Sequence, residues 1–439
     1  MERILVWSAF DSERLRFALS VLLTDCLGVS FELTGDEIKF RNSSQAKICY
    51  HSHRIAPDAC FIPSCGLLAE QTIVPQQITA ADCDGLAAFF FVPTSDDDFS
   101  FDLLSLVFYL VSRYEEYLPD AARDAHGRFT ASQSVAFQND FLQKPLVQLW
   151  AQRLKKNLLS YFPQLTFEPP EYHFQPTYDI DMAWAFLHKG FLRTAAGFVN
   201  DLLRFRWQKL AHRVTTHCGF RRDDYDTFEK LDKLHRLHDL CPIFFFLVGN
   251  YDQKYDKNTS FRVPAFQKLI QKIAAQYPIG LHPSYQSNYL EKRLDLEKKR
   301  LESIIFQNIS KSRQHFLKLS LPHTYRQLIA EGLSEDYTMG YAEAVGFRAS
   351  TALPFCWYDL ENEKITAFRV HSFQIMDVSL RQYQACSPEA AKVQINELSA
   401  AVRAVGGEFV SIWHNSSFAA SEGWDGWAEV HDFLLATGK

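Results

Sequence analysis

The spacing of apolar residues predicts helices and strands throughout the first part of the chain. Apolar residues three or four positions apart predict helices, and short apolar or alternating runs predict strands. The predicted helices are 12–27, 102–117 and 145–159, and the predicted strands are 30–33, 37–40 and 84–93. Pro163, Pro169 and Pro170 then interrupt the pattern. We therefore expect a smaller α+β domain over residues 1–165.

From residue 171 onwards, predicted strands and helices alternate. The strands are 171–181, 242–248, 279–282, 312–319, 336–339, 346–351, 370–377 and 408–414, and the helices are 225–239, 263–277, 285–307, 322–331 and 388–405. This alternation predicts an α/β domain over residues 171–439, with a parallel sheet closed or nearly closed as a (β/α) barrel. In such barrels the chemistry takes place at the carboxyl ends of the strands.

The composition is that of a globular protein and excludes some functions. Hydrophobic residues make up 47% and charged residues 22% of the 439 positions. A net charge of −6 argues against general nucleic-acid binding. Charges near the N-terminus break any signal-peptide core, and the apolar segments are too short to span a bilayer. We expect a soluble, cytoplasmic protein whose nine cysteines, an odd number without a CxxC pair, are free thiols.

The strand predicted at 171–181 ends in the sequence Thr177-Tyr-Asp-Ile-Asp181. Side chains alternate between the faces of a strand, so Asp179 and Asp181 project the same way, about 7 Å apart at Cα. Two neighbouring carboxylates repel each other, and burial raises that cost. A bound cation relieves both effects, which indicates a metal ligand beside a general base. The alternative is a strand end with two solvated acids.

Other predicted strands also end in residues that suit a catalytic site. His282 ends the strand at 279–282, and Asp377 and His414 end the strands at 370–377 and 408–414. Arg313 and His315 lie two positions apart, on one face of the strand at 312–319. A single histidine at a strand end is usually structural. Several strands that each deliver an acid, a histidine or an arginine to one rim are typical of a metal-assisted hydrolase.

These motifs resemble those of the NodB-type polysaccharide deacetylases, carbohydrate esterase family four and its relatives, over residues 171–420. The first motif is similar to 177–181, the second in part to His282-Pro-Ser-Tyr285, the third to Arg313-Gln-His315 and the last to Trp413-His-Asn415. The resemblance implies a distorted (β/α) barrel that acts on a carbohydrate. Residues 1–165 are similar to an accessory domain that precedes this barrel in some bacterial relatives.

The resemblance also implies a role for each motif residue. Asp181 and His282 would hold a divalent metal, zinc in the first place, which polarises the acetyl carbonyl and lowers the pKa of the attacking water. Asp179 would be the general base, held ionised and oriented by a charge-assisted bond from Arg313.

The remaining motif residues would complete the reaction. His414 would protonate the leaving amine, and Asp377 would orient His414. Together these roles describe a metal-dependent hydrolase that removes an N-linked acetyl group from a sugar or polysaccharide.

One position departs from the family pattern. The family's second motif has two histidines four residues apart, on one face of a helical turn, whereas Gln286 stands four residues after His282. Glutamine is a poor ligand for zinc-type metals. His315 is the candidate for the missing ligand, because it shares the face of Arg313. Ser284, Tyr285 and water are weaker candidates. The alternative is a catalytically impaired carbohydrate-binding protein on the same barrel.

Two charged regions lie outside these motifs. Residues 182–222 carry eight basic side chains and one acidic side chain, with aromatic residues between them. This segment is either a lid or platform for an anionic glycan or membrane surface, or an amphipathic helical insertion packed on the rest of the protein. A second cluster is either a site or an ion-paired structural corner: Arg113, Glu115, Glu116, Asp124, His126 and Arg128. Residues 1–165 are also candidates for a partner-binding module.

Overall fold

The computed structural model describes residues 3–93, 98–290 and 292–439. Most of its strands fall into two sheets, one of four strands and one of nine. Among the helices in those ranges, none combines the length and the apolar character needed to cross a bilayer.

The first part of the chain folds around the four-stranded sheet. Its strands are β1 (Arg3–Ser8), β2 (Ser30–Thr34), β3 (Lys47–His51) and β4 (Cys60–Pro63), and they pair in parallel in the order β2–β1–β3–β4. The other elements are a hairpin of β5 (Ala81–Cys83) and β6 (Leu86–Ala88), and the helices α1 (Glu13–Leu19), α2 (Glu37–Asn42), α3 (Leu103–Val111), α4 (Val135–Gln138) and α5 (Leu146–Tyr161). Every residue of α3 is buried, which places this helix at the centre of the local core.

Helix α2 corrects one sequence prediction. The run at 37–40 has only four residues, and a pattern that short does not distinguish a strand from a helix. The side chain of Asp36 accepts a hydrogen bond from the Lys39 N–H at 2.9 Å and so caps a helix. The predicted strand at this position is therefore wrong.

Two further predictions are right in part. The helix predicted at 102–117 ends at Val111, because Arg113 takes a left-handed φ of 58°. The strand predicted at 84–93 is reduced to β6, which pairs with β5 across a turn at Asp84, where φ is 56°.

The nine-stranded sheet is built from the second part of the chain. Its strands are β7 (Tyr172–Ile180), β8 (Ile243–Phe246), β9 (Ile279–Leu281), β10 (Lys311–Ser312), β11 (Glu335–Asp336), β12 (Phe355–Asp359), β13 (Lys364–Val370), β14 (Ile375–Met376) and β15 (Gly407–His414). They follow the order β12–β13–β11–β10–β9–β8–β7–β15–β14. Neighbours pair in parallel except β12 and β13, which are antiparallel.

This sheet curls into a half-barrel. Residues on strands that are not neighbours meet on its inner face: the rings of Phe245 on β8 and Tyr337 after β11 have centroids 5.4 Å apart. The inner core contains Ile243, Phe245, Leu317, Tyr337, Ala342, Phe373, Met376, Val410 and Ile412. The predicted barrel is thus an open, curled sheet with the strand order of a barrel.

Helices connect and flank these strands. They are α6 (Phe191–Leu203), α7 (Trp207–His217), α8 (Phe228–His238), α9 (Pro264–Ala274), α10 (Arg293–Ile305), α11 (His323–Ala330), α12 (Pro388–Val405) and α13 (Trp427–Gly438). Helix α12 has the predicted bounds, because the Ser387 side chain accepts from the Ala390 N–H at 3.2 Å and Gly406 follows the last turn. Helix α13 was not predicted.

The short strands are where the sequence prediction fails most often. The strand predicted at 312–319 is reduced to β10, because the chain leaves the sheet and turns at Phe316 and Leu317, which have φ of 60° and 52°. Residues 346–351 form no strand, and the β12–β13 hairpin was not predicted. Arg313 and His315 therefore do not share a strand face.

Arg113 and Glu116, two members of the charged cluster in the first part, form a buried ionic junction with the second part. Glu116 Oε1 accepts hydrogen bonds from Arg113 Nε at 2.8 Å and from Arg348 Nε at 2.9 Å. Arg113 Nη2 also donates to the Tyr341 hydroxyl at 3.0 Å. Burial alone would raise the pKa of Glu116, but Arg348 and Arg113 outweigh it and lower that pKa to about 2. Arg113, Glu116 and Arg348 are therefore structural, and they tie the two parts together.

Candidate active site

The carboxyl edge of the nine-stranded sheet gathers the side chains that the sequence motifs singled out. Asp179 lies on β7 and Asp181 follows it, His282 follows β9, Arg313 follows β10, and His414 ends β15. These strands are parallel, so their carboxyl ends meet at one edge. Thr177, Asp179, His282, Arg313 and His315 are buried there, and Asp181 keeps a partly exposed side chain.

Asp181, His282 and His315 form a cluster with the composition of a metal site. Their candidate ligand atoms all lie within 4.8 Å of one another. His282 Nε2 is 3.2 Å and His315 Nε2 is 3.6 Å from Asp181 Oδ1. The His282 and His315 rings meet nearly edge to face, with centroids 5.1 Å apart. Each imidazole thus directs its Nε2 atom at the same carboxylate oxygen, Asp181 Oδ1.

Hydrogen bonds behind the two histidines fix which nitrogen is free. His282 Nδ1 donates to the Arg313 carbonyl, and His315 Nδ1 donates to Asp256 Oδ1 at 2.9 Å. In a neutral imidazole that donates from Nδ1, Nε2 carries the lone pair. A donor bond of this kind is what orients a histidine that binds a metal. Each Nε2 is therefore free to act as a ligand toward Asp181.

The residues present fit a divalent cation. Asp181 Oδ1 is buried and has no hydrogen-bond partner among the described residues, although two imidazole nitrogens face it. Burial alone would raise the pKa of Asp181, but protonated rings of His315, His282 and His414 outweigh that effect and lower it. A bound cation would take the place of the protons on the His282 and His315 Nε2 atoms and leave both imidazoles neutral. An ionised carboxylate oxygen with two neutral imidazole nitrogens is a typical donor set for zinc.

His315 reaches this cluster by a turn rather than by a strand. Its N–H donates to the Pro283 carbonyl at 3.1 Å, and Phe316 then takes φ of 60°. The Phe316 ring packs against the His315 ring at 4.7 Å between centroids. The expectation that His315 enters the site is compatible with this geometry, but the predicted strand is not its cause.

Asp256 is a site residue that the sequence interpretation missed. It is fully buried in the loop after β8 and holds His315. It also accepts from the N–H groups of Tyr285 at 2.7 Å and of Gln286 at 3.3 Å. The signal in the sequence was weak: an acid in a loop that follows a barrel strand, where site residues of barrels concentrate.

Beside the metal cluster lies a carboxylate paired with an arginine. Arg313 Nη1 donates to Asp179 Oδ1 at 3.0 Å and to Thr177 Oγ1 at 2.6 Å, and Arg313 Nε donates to the Tyr337 carbonyl at 3.0 Å. Asp179 Oδ2 stays 3.9 Å from His282 Nε2. One oxygen of Asp179 is thus fixed by the arginine and the other faces the cluster.

On the opposite side, His414 pairs with Asp377. Asp377 Oδ1 accepts from His414 Nδ1 at 2.8 Å, and Asp377 Oδ2 accepts from the His414 N–H at 2.8 Å. His414 Nε2 lies 3.9 Å from Asp181 Oδ2. Burial would lower the pKa of His414, but Asp377 outweighs it and, with Asp181 and Asp179, raises that pKa to about 10. His414 therefore carries a proton at neutral pH and directs it toward the site.

A cavity of about 450 Å³ opens above these groups. Its walls include Tyr225, Met376 and Trp424 from the second part of the chain and Arg128 from the first. Arg128 is held by Asp124 Oδ2 at 2.7 Å and donates to the Phe316 carbonyl at 2.8 Å. Arg128 was predicted only as a member of a charged cluster, and it contributes to the wall of the cavity.

Comparisons with known proteins match the two parts of the chain differently. Residues 4–163 match a family of unknown function, DUF7033. No curated protein matches the chain in sequence.

Similar solved structures include polysaccharide deacetylases and a pseudoenzyme. A candidate polysaccharide deacetylase from Mycobacterium smegmatis has 14% identity and a TM-score of 0.39 over 61% of this chain and 84% of its own. The polysaccharide deacetylase Bc1974 from Bacillus cereus has 12% identity and a TM-score of 0.27, over 48% and 79%. BA3943, a CE4 family pseudoenzyme from Bacillus anthracis, has 8% identity and a TM-score of 0.26, over 48% and 58%. The roles of individual residues therefore rest on the geometry above.

Proposed function

We propose that this protein is a metal-dependent hydrolase that removes an N-linked acetyl group from a sugar or polysaccharide. The observation that supports it most is the cluster of Asp181, His282 and His315, with both free Nε2 atoms facing one orphaned carboxylate oxygen. The resemblance of the surrounding motifs to NodB-type deacetylases supplies the substrate class.

The residues around the cluster suit hydrolysis of an amide. A divalent cation held by Asp181, His282 and His315 would supply a Lewis acid that polarises the acyl carbonyl and lowers the pKa of water. Asp179 would take the proton of the attacking water through its Oδ2, while Arg313 holds and orients the group through its Oδ1. His414, protonated and oriented by Asp377, would give a proton to the leaving amine.

Acetate release from N-acetylhexosamine oligomers tests this proposal. The wild type should release acetate with added zinc and lose the activity with a chelator. Asp179→Asn keeps the shape of the side chain and removes the base, so release should fall by a factor of roughly 100 or more. Asp120→Asn, at an exposed position, is the matched control and should behave as the wild type. Equal release by wild type and Asp179→Asn would refute the assigned base.

A second candidate function is carbohydrate binding without catalysis. Gln286, in place of the family's second histidine, is the observation that favours it. Elemental analysis of protein purified with ample zinc separates the two: nearly one equivalent of metal supports the hydrolase, and a clearly substoichiometric amount supports the binding protein.

We also propose that residues 1–165 form an accessory domain that helps to bind the substrate of the domain at 171–439. Arg128, on the wall of the cavity, supports this idea. Arg128→Ala should raise KM with little change in zinc affinity. An unchanged KM would limit this part of the chain to a structural role or to partner binding.

A further inference from the structure

The helices α6 and α7 form a hairpin whose outer surface is apolar. On α6, Leu192, Ala196, Val199 and Leu203 follow at helical spacing, and all four are exposed. The exposed fraction is 82% for Leu192 and 70% for Leu203. A helix on the surface of a soluble domain normally turns such a stripe inward. Here the stripe faces away from the protein.

The second helix and the connection repeat this arrangement. Trp207, Ala211 and Val214 are exposed at helical spacing on α7. Phe205, in the connection, is 74% exposed, and its ring lies 6.1 Å from that of Trp207. Residues 202–208 are all exposed, so the tip of the hairpin projects into solvent. A contiguous apolar surface of this kind marks an interaction site.

Four of the five arginine and lysine residues in the hairpin at 191–217 divide into two groups. Arg213 is buried in a pair with Asp201 at 2.9 Å, and Lys209 is paired with Glu422. Arg204 and Arg206, on either side of Phe205, are exposed and have no ion-pair partner within the described part of the chain. The projecting tip therefore combines aromatic and aliphatic side chains with two free positive charges.

The inner side of the hairpin is closely packed. A Cβ atom at Gly197 would lie 2.6 Å from Arg213 Nη1, so the glycine allows the guanidinium to pack closely against α6. The Arg213 guanidinium also lies over the ring of Phe186, 4.8 Å from its centroid. The exposed stripe thus belongs to a hairpin with a defined buried side.

We propose that this hairpin lies in the surface of an anionic lipid bilayer. The stripes of α6 and α7 would contact the acyl chains near the headgroups, and Arg204 and Arg206 would bind lipid phosphates. Charge favours this partner over a second copy of the chain, because a symmetric contact through the tip would bring like charges together. Glu422, the partner of Lys209, lines the active-site cavity, so docking would hold that cavity close to the membrane.

Flotation of the full chain with vesicles tests this proposal. Vesicles of phosphatidylcholine are compared with vesicles of equal parts phosphatidylcholine and phosphatidylglycerol. The wild type should float with the anionic vesicles, and Leu203→Ser with Phe205→Ser and Trp207→Ser should lose that binding. Arg204→Gln with Arg206→Gln should weaken binding to the anionic vesicles by on the order of tenfold or more.

The matched control removes three exposed apolar side chains elsewhere. Ile38, Leu237 and Phe306 are 74%, 74% and 84% exposed, and changing all three to serine should leave flotation as in the wild type. Thermal unfolding verifies that each variant is folded. Absence of flotation by the wild type, or equal flotation by the variant of residues 203, 205 and 207, would overturn the proposal. A wild-type dimer that this variant converts to a monomer, without vesicle binding, would overturn it in favour of self-association.

Discussion

At the residue scale, the candidate metal centre depends on what lies behind each histidine. Asp256 and the Arg313 carbonyl accept hydrogen bonds from Nδ1 of His315 and His282, which leaves both Nε2 atoms facing Asp181. Neither of these partners is a metal ligand. They make the ligands available by selecting one tautomer.

Asp256→Asn tests this dependence. An asparagine at this position can present its NH₂ group to His315 Nδ1, which favours the wrong tautomer, so zinc affinity should fall by about 10- to 100-fold. Titration of zinc against a competing chelator measures it. Asp252→Asn, in the same loop and at a partly exposed position, is the control. Equal affinity in wild type and Asp256→Asn would show that Asp256 does not position His315.

The proposed acid predicts a pH dependence. His414 must be protonated to give a proton to the amine, so activity is lost as pH rises through its pKa. Asp377 raises that pKa, and Asp377→Asn should therefore move the alkaline limb of the activity profile to lower pH by about one unit or more. Acetate release measured from neutral to strongly alkaline pH tests it. An unchanged limb would remove His414 from the role of the acid.

At the element scale, a helix or strand could be predicted where residues within it or next to it set its bounds. Helix α12 has its cap at Ser387 and its end at Gly406, both visible in the sequence, and its bounds were predicted correctly. Strand β10 has two residues, and it is a strand only because β9 and β11 pair with it. The position of the motif residues at the sheet edge could be predicted because parallel strands share a direction. The link from Asp256 to His315 joins loops 59 residues apart and leaves no local pattern.

The hairpin of α6 and α7 gives a prediction at this scale. Asp201→Asn leaves the buried Arg213 without its charge partner. Amide hydrogens of residues 191–217 should then exchange faster, as seen by hydrogen exchange with mass spectrometry, while those of α12 stay protected. Glu229→Gln, which removes an exposed ion pair with Arg222, is the control. Unchanged exchange in 191–217 would mean that this pair does not hold the hairpin.

At the scale of the whole molecule, the two parts of the chain are joined through their cores. Glu116 accepts from both Arg113 and Arg348, and Arg14 pairs with Glu363 across the same boundary. The sequence located the charged cluster but not its partner Arg348, because nothing local relates residues more than 200 positions apart. Residues 4–163, which match the family of unknown function, thus meet two connections between strands of the curled sheet at buried and partly buried ion pairs.

Glu116→Gln tests this junction. It leaves two buried guanidinium groups short of a charge, so the free energy of unfolding at neutral pH should fall by about 3–5 kcal/mol. The folded pKa of about 2 lies below the ordinary value of 4.5, so the contribution is present above about 4.5 and is lost as pH falls toward 2. Urea unfolding at neutral and acidic pH should show a difference from wild type that shrinks on acidification. A difference in the free energy of unfolding under about 1 kcal/mol at neutral pH is typical of an exposed ion pair and would contradict this prediction.

The zinc affinity of His315→Ala is the most direct test of the proposed metal centre, because His315 is the proposed substitute for the histidine that Gln286 replaces in this chain. The wild type should bind one zinc ion, and His315→Ala should weaken binding by about 100-fold or more. His323→Ala, at an exposed histidine, should bind as the wild type does. An affinity that is the same in wild type and His315→Ala would contradict the proposed centre.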